Sequence, residues 1–100
     1  MDVMTDPNVA ARVLARICRL AAARVPGVAA VTSVAVDPTG VSPRPPGAAV
    51  RLDVQVDGTV SAPDAAAAVR AAVRDELARA GFRTTWVDVT VTVLGYPRPR

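Results

Sequence analysis

The chain has 100 residues, of which 51% are apolar and 3% aromatic, and its net charge is +3. This length fits one domain with one hydrophobic core, and the apolar content argues against disorder. Histidine and lysine are absent, which excludes histidine catalysis, histidine metal sites, Schiff bases and a Walker lysine. A single Cys18 cannot form an internal disulfide. Because neither a signal peptide nor a membrane-spanning run is visible, we expect a cytoplasmic protein.

The first predicted element is an amphipathic helix that opens at Asp6-Pro7 and runs to about Arg24. Residues 25–28, Val-Pro-Gly-Val, end it, because proline restricts the preceding residue and glycine favours termination. At 100° per residue, one broad arc collects the side chains expected to be buried, namely Val9, Ala10, Val13, Leu14, Ile17, Leu20, Ala21 and Val25.

Three arginines, Arg12, Arg16 and Arg19, form a stripe about 60° wide on the other side of this helix. The helix has no acidic residue after Asp6, so the stripe lacks a local partner. An ordinary solvated face is the slightly favoured interpretation, and contact with an anionic partner is the alternative. Three surface arginines contribute at most about 3 kcal/mol toward an anionic membrane, which would suffice only in an oligomer. We expect Cys18 to be a small core residue rather than a reactive thiol.

Two strands are predicted next, at residues 28–37 and 50–56. In the first, Thr32, Val34 and Val36 share one face, and Val31, Ser33 and Ala35 share the other. A turn from Asp37 and a proline-rich loop follow, so the strands are expected to pair antiparallel. In the second, Val50, Leu52, Val54 and Val56 alternate with Arg51, Asp53 and Gln55, which predicts one buried and one polar face.

Ser61 and Asp64 form a capping-box pattern that opens a second helix, which runs to about Ala80 and stops at Gly81. The last strand is predicted at residues 84–94. Its core face carries Val87, Val89, Val91 and Val93, and its other face carries Trp86, Asp88, Thr90, Thr92 and Leu94.

The element order α-β-β-α-β predicts a single α+β domain over residues 1–100, with a three-stranded sheet and two helices packed on one face. The expected core spans residues 6–95, with flexible ends at 1–5 and 96–100. The pattern leaves the strand order open. The uncovered sheet face, which is either solvated or used for contact, carries Arg51, Asp53, Gln55, Trp86, Asp88 and Leu94.

Aspartate is the remaining candidate for chemistry. Asp53, Asp57 and Asp88 could share a sheet face and bind Mg²⁺ or Ca²⁺, but a polar face balanced by Arg51 is strongly favoured. No Gly-rich phosphate loop can be written from the six widely spaced glycines. We therefore predict no catalytic residue, no metal, no cofactor and no small-molecule substrate, and hence a protein that is not an enzyme.

Residues 9–94 resemble the alkaline shock protein family of bacterial envelope stress proteins. The resemblance rests on the first helix with its Val-Pro-Gly-Val end, the alternating strand at 50–56, the Pro-initiated helix at 63–80 and the Val/Thr-rich strand at 86–93. It implies a small, non-enzymatic cytoplasmic protein that self-associates and is held at the inner face of the membrane by a membrane-anchored partner. No catalytic residues are known for the family, so none is carried over.

The predicted function is therefore a structural or interaction protein of the envelope stress type. Its candidate contact residues are Arg12, Arg16, Arg19, Trp86 and Leu94. The alternative is a small KH-like nucleic-acid-binding module, which shares the element order and basic charge. The missing G-x-x-G clamp and the few aromatics argue against that alternative, so nucleic acid is not an expected partner.

Overall fold

The computed structural model describes residues 7–39 and 47–93. It contains α1 (Pro7–Ala23), β1 (Val28–Thr39), β2 (Gly47–Val56), α2 (Ala62–Arg79) and β3 (Arg83–Val93). This order confirms the predicted α+β fold. Leu94, the two predicted flexible ends and most of the proline-rich loop lie outside the described residues.

The three strands form one sheet in the order β1-β2-β3. β1 pairs antiparallel with β2, as predicted, and β2 pairs parallel with β3. A parallel neighbour requires a crossover connection, which α2 supplies between β2 and β3. Both helices contribute to a single core cluster with β2. The central position of β2 was the feature that the sequence pattern left open.

The centre of the core is the apolar face of β2, where Val50, Leu52, Val54 and Val56 are buried. Full burial of each such side chain stabilises the fold by roughly 1.5–3 kcal/mol. The prediction for the last strand is only partly correct. Val87 is buried and Val89 and Val91 are partly buried, whereas Val93 remains 39% exposed. β3 is an edge strand and is therefore flanked on one side only.

The buried face of α1 is turned relative to the predicted arc. Leu14, Ala21 and Val25 are buried as predicted, and so are Cys18 and Ala22. Leu20 and Val13, which were expected in the core, are 50% and 39% exposed. The prediction was wrong there because α1 presents its small residues to the sheet, and these allow a closer approach than Leu20 would.

The predicted alternation of β1 fails at Thr32. The register with β2 shifts between Val31 and Ser33, so one extra residue occupies the edge of the sheet as a bulge. Val31 and Val34 consequently both pack against the core, and Thr32 is exposed. The Thr32 hydroxyl donates to the Asp53 carbonyl across the strand pair, at 3.2 Å. A bulge of one residue moves all following side chains to the opposite face of the strand. A prediction that assumes strict alternation therefore cannot include it.

The element ends follow the predicted chemistry. Gly27 adopts φ +89° after α1, a conformation that glycine accepts without steric cost. Its carbonyl accepts from the Asp57 amide at 3.0 Å, which ties the end of α1 to the end of β2. At α2 the Ser61 hydroxyl accepts from the Asp64 amide at 3.2 Å, so the predicted N-cap is confirmed.

Candidate functional site

The candidate site lies on the sheet face opposite the helices. Two rows of residues cross the three strands there: Asp37, Ala49 and Trp86 in one row, and Ala35, Arg51 and Asp88 in the next. We refer to these six residues as the open-face site. The parallel register of β2 and β3 places Arg51 beside both Trp86 and Asp88, because side chains two residues apart on a strand share a face.

Arg51 connects the charged and the aromatic parts of the open-face site. Its Nε lies 3.5 Å from Asp88 Oδ2. Its guanidinium carbon lies 6.0 Å from the centroid of the Trp86 ring, the distance of a weak cation–π contact. Trp86 nevertheless keeps 45% of its surface exposed. The site thus presents a large aromatic face whose neighbouring cation is held by an acidic partner.

A shallow hollow of about 230 Å³ opens beside the Trp86 ring. Its lining comes from all three strands: Ala35, Val36, Asp37, Ala49, Arg51 and Trp86. The lining combines small apolar side chains with an acid, a guanidinium and an indole. Such a hollow suits one side chain of a bound protein, because aromatic and arginine side chains are enriched at the centres of protein interfaces.

The arginine stripe lies on the other side of the molecule, on the exposed side of α1. Arg12, Arg16 and Arg19 are all exposed. The guanidinium of Arg19 donates to the Val31 carbonyl at 2.5 Å, so it binds the edge of β1. The structure therefore brings the three arginines together on one helix but does not bring them together with Trp86. Leu94, the remaining candidate, lies outside the described residues.

Sequence reasoning missed the apolar part of the same helical surface. Val13 and Leu20 lie beside Arg16 on the exposed side of α1 rather than in the core. Their spacing of seven residues places them on one line along the helix. In the sequence, Val13 and Leu20 lie at the border between the apolar arc and the arginine stripe. That border position was the one sequence signal that could have indicated their exposure.

A groove of about 360 Å³ separates the end of α1 from α2. Its lining residues are Ala21, Arg24, Val25, Pro26, Ala68, Ala72, Asp75, Glu76 and Arg79. Arg79 pairs with Glu76 one helical turn earlier, although the side chain four residues before it is Asp75. Among the described residues, Asp75 forms no ion pair.

Two of the three aspartates considered for a cation, Asp88 and Asp57, are engaged in separate contacts. Asp88 pairs with Arg51. Asp57 accepts from the Thr59 amide at 2.9 Å and from the Thr59 hydroxyl at 2.6 Å, and these bonds hold the pKa of its carboxyl below the ordinary value. Within residues 7–39 and 47–93, no three acidic, Cys or His side chains are grouped so that they could hold a metal ion.

The fold defined by these elements is a mixed three-stranded sheet covered on one face by two helices. Solved structures of the MamM C-terminal domain share it. A zinc form of one variant has a TM-score of 0.67 and 22% identity, with 85% of this chain and 87% of that chain covered. A second variant has a TM-score of 0.66 and 22% identity, with 82% and 95% covered. At this identity the likeness shows the fold alone.

No protein-family model and no curated protein matches the chain. The resemblance to the alkaline shock protein family therefore stays a prediction. In the part of the chain that the structure describes, neither helix is both long enough and apolar enough to cross a membrane.

Proposed function

We propose that this protein is a non-enzymatic interaction domain that associates with itself and binds a membrane-anchored protein partner. The observation that carries the partner-binding part of the proposal is the open-face site, where Trp86 is 45% exposed beside Arg51. Self-association is supported by the resemblance to the alkaline shock protein family. Tryptophan and arginine are the residue types most enriched among the side chains that dominate binding energy at interfaces. Exposure of this pair on an uncovered sheet face is what a partner-binding surface requires.

The contacts within the site support binding to a protein. Asp88 holds Arg51, and Arg51 lies against the Trp86 ring, so the aromatic surface is arranged before a partner arrives. Preorganisation lowers the ordering cost of association. The carboxylate of Asp37 stands on the far side of the hollow, which favours a partner that inserts a basic side chain between Asp37 and Trp86.

The more specific part of the proposal is a role in cell-envelope stress at the inner face of the membrane. Its support is the resemblance of residues 9–94 to the alkaline shock protein family. The MamM structures include zinc and manganese forms, but metal binding is not part of this proposal. The shared fold is consistent with a compact domain that presents an interaction surface.

The partner-binding proposal is tested by cosedimentation of the purified chain with inverted inner-membrane vesicles from a bacterium that encodes it. We expect the wild-type chain to sediment with untreated vesicles. Vesicles stripped of exposed protein by protease, and liposomes made from the extracted lipids, should not retain it. Binding to liposomes as strong as binding to native vesicles would overturn a protein partner in favour of a lipid surface.

A matched pair of variants locates the contact. Trp86→Ala removes the exposed ring, and Thr90→Ala removes an exposed side chain further along β3 on the same face. The first should reduce retention about tenfold or more, the change expected for an interface anchor worth at least 1.4 kcal/mol. The second should bind like the wild type. Equal binding by all three chains would reject the open-face site as the partner surface.

A further inference from the structure

We propose that the outer surface of the helical layer pairs with the same surface of a second copy, with α1 of each copy lying on α2 of the other. This inference deepens the proposed self-association and rests on it. The inference is based on the exposed faces of α1 and α2, which lie side by side in one layer and carry different charges. The open-face site is on the other side of the sheet and stays free in such a dimer.

The outer face of α1 is basic and partly apolar. Arg12 and Arg16 are exposed one turn apart, and Val13 and Leu20 are exposed beside them. Within Pro7–Ala23 the charged residues are all arginine. The exposed Leu20 and Val13 therefore lie next to charged arginines and form an amphipathic surface. Exposed apolar patches of this kind often mark protein–protein contacts.

The outermost line of α2 carries two acidic residues and three alanines, and the exposed Arg74 and Arg79 lie to either side of it. Residues at spacings of four, three, four and three fall on one line along a helix, and on α2 this line consists of Asp64, Ala68, Ala71, Asp75 and Ala78. All five are exposed, whereas the opposite line of the helix, which includes Val69 and Val73, is buried. Because three of the five are alanine, another helix can approach the backbone of α2 closely, toward the short end of the usual 8–10 Å separation.

Among the described residues, no ion pair within one copy joins the charges of these two faces, although Arg24 and Arg79 line the same groove as Asp75. Among the described residues the ion pairs are Arg51 with Asp88 and Arg79 with Glu76. Arg12 and Arg16 on α1, and Asp64 and Asp75 on α2, therefore have no ion-pair partner there. Opposite charges across an interface set its register and suppress alternative partners.

A two-fold axis allows the exposed faces of α1 and α2 to be covered at the same time. α1 and α2 are neighbours that share a groove, so rotating a second copy by a half turn places its α2 over α1 and its α1 over α2. Such an isologous contact is closed and self-complementary. It also brings the exposed Leu20 and Val13 of each copy onto the alanine line of the other, which removes the apolar surface from water.

The test uses two charge-reversed chains. One carries Arg12→Glu and Arg16→Glu, so both of its outer faces are acidic; the other carries Asp64→Arg and Asp75→Arg, so both are basic. Light-scattering mass after chromatography is measured over a wide concentration range at moderate salt. We expect the wild type to dimerise and each variant alone to need about tenfold or more protein to do so, because like charges then face each other.

Mixing the two variants tests directly whether α1 of one copy pairs with α2 of the other. In a mixed dimer each acidic helix faces a basic one at both contacts, so a one-to-one complex should form at concentrations where neither variant dimerises. Far-ultraviolet circular dichroism is used to check that both variants are folded. A chain with Arg83→Glu carries a charge reversal on β3, away from both helices, and should dimerise like the wild type.

The outcomes separate this inference from the function on which it rests. A wild type that stays monomeric at every concentration overturns self-association and this pairing with it. A wild type that dimerises, together with charge-reversed variants that dimerise equally well, overturns the helical contact and leaves self-association standing. Failure of the mixed variants to form a complex likewise rejects the pairing of α1 with α2.

Discussion

Arg51 on β2 and Asp88 on β3 stand directly opposite each other in the parallel register, with Nε and Oδ2 3.5 Å apart. Their side chains are 65% and 56% exposed, so water and salt screen the attraction between them. The pair orients the guanidinium beside Trp86 rather than holding the sheet together. Its importance is expected in binding and not in the stability of the fold.

A double-mutant cycle tests that distinction. Arg51→Ala, Asp88→Ala and the double variant should give a coupling free energy for unfolding below about 1 kcal/mol, as exposed ion pairs do. The same three variants should bind vesicles less well than the wild type, because Asp88→Ala frees the cation beside Trp86 and Arg51→Ala removes it. A coupling of several kcal/mol in urea unfolding would show that the pair is structural.

Gly27 and Gly58 form a matched pair for testing backbone strain against crowding. Both have positive φ, +89° and +88°, where an alanine costs roughly 1–2 kcal/mol. A Cβ at Gly27 would lie 3.1 Å from Val60 Cγ2, whereas at Gly58 it would meet nothing within 4 Å. We expect Gly27→Ala to lower the free energy of unfolding more than Gly58→Ala does, as measured by urea denaturation. Equal losses would mean that Val60 moves aside without cost.

The N-cap of α2 is expected to contribute measurably to stability. Ser61→Ala removes the acceptor of the Asp64 amide and should lower the free energy of unfolding by about 1 kcal/mol. Ser61→Asn keeps a capping oxygen and serves as the control, with a loss of only a few tenths. If Ser61→Ala were as stable as the control, water would be replacing the cap.

Cys18 gives the chain a dependence on alkaline pH. Burial in the core raises the pKa of its thiol from 9.0 to about 11. Between these values the unfolded chain loses the proton while the folded chain keeps it, so the free energy of unfolding falls as the pH rises. The wild type should lose stability relative to Cys18→Ala from pH 9 to pH 11. Parallel curves for the two chains would show that the thiol does not couple folding to pH.

The elements that could be predicted are those whose signals are local. The Gly27 stop, the Ser61 cap and the strict alternation of β2 each depend on neighbouring residues, and each is confirmed. The open-face side chains Arg51, Trp86 and Asp88 were likewise placed on one face, because alternation within two strands assigns them to it. Their joining into a site depended on the register between β2 and β3.

The sequence by itself determined the element order, the single α+β domain and the polar character of one sheet face, since composition, periodicity and turn chemistry act over a few residues. Only the tertiary structure decided that β2 is central, that Thr32 bulges from β1 and that α1 exposes Leu20 and Val13. These outcomes depend on how closely whole elements approach one another. Because α1 has apolar residues at both edges of its predicted buried arc, it can turn either edge toward the sheet. The packing of the neighbouring elements decides which edge is buried.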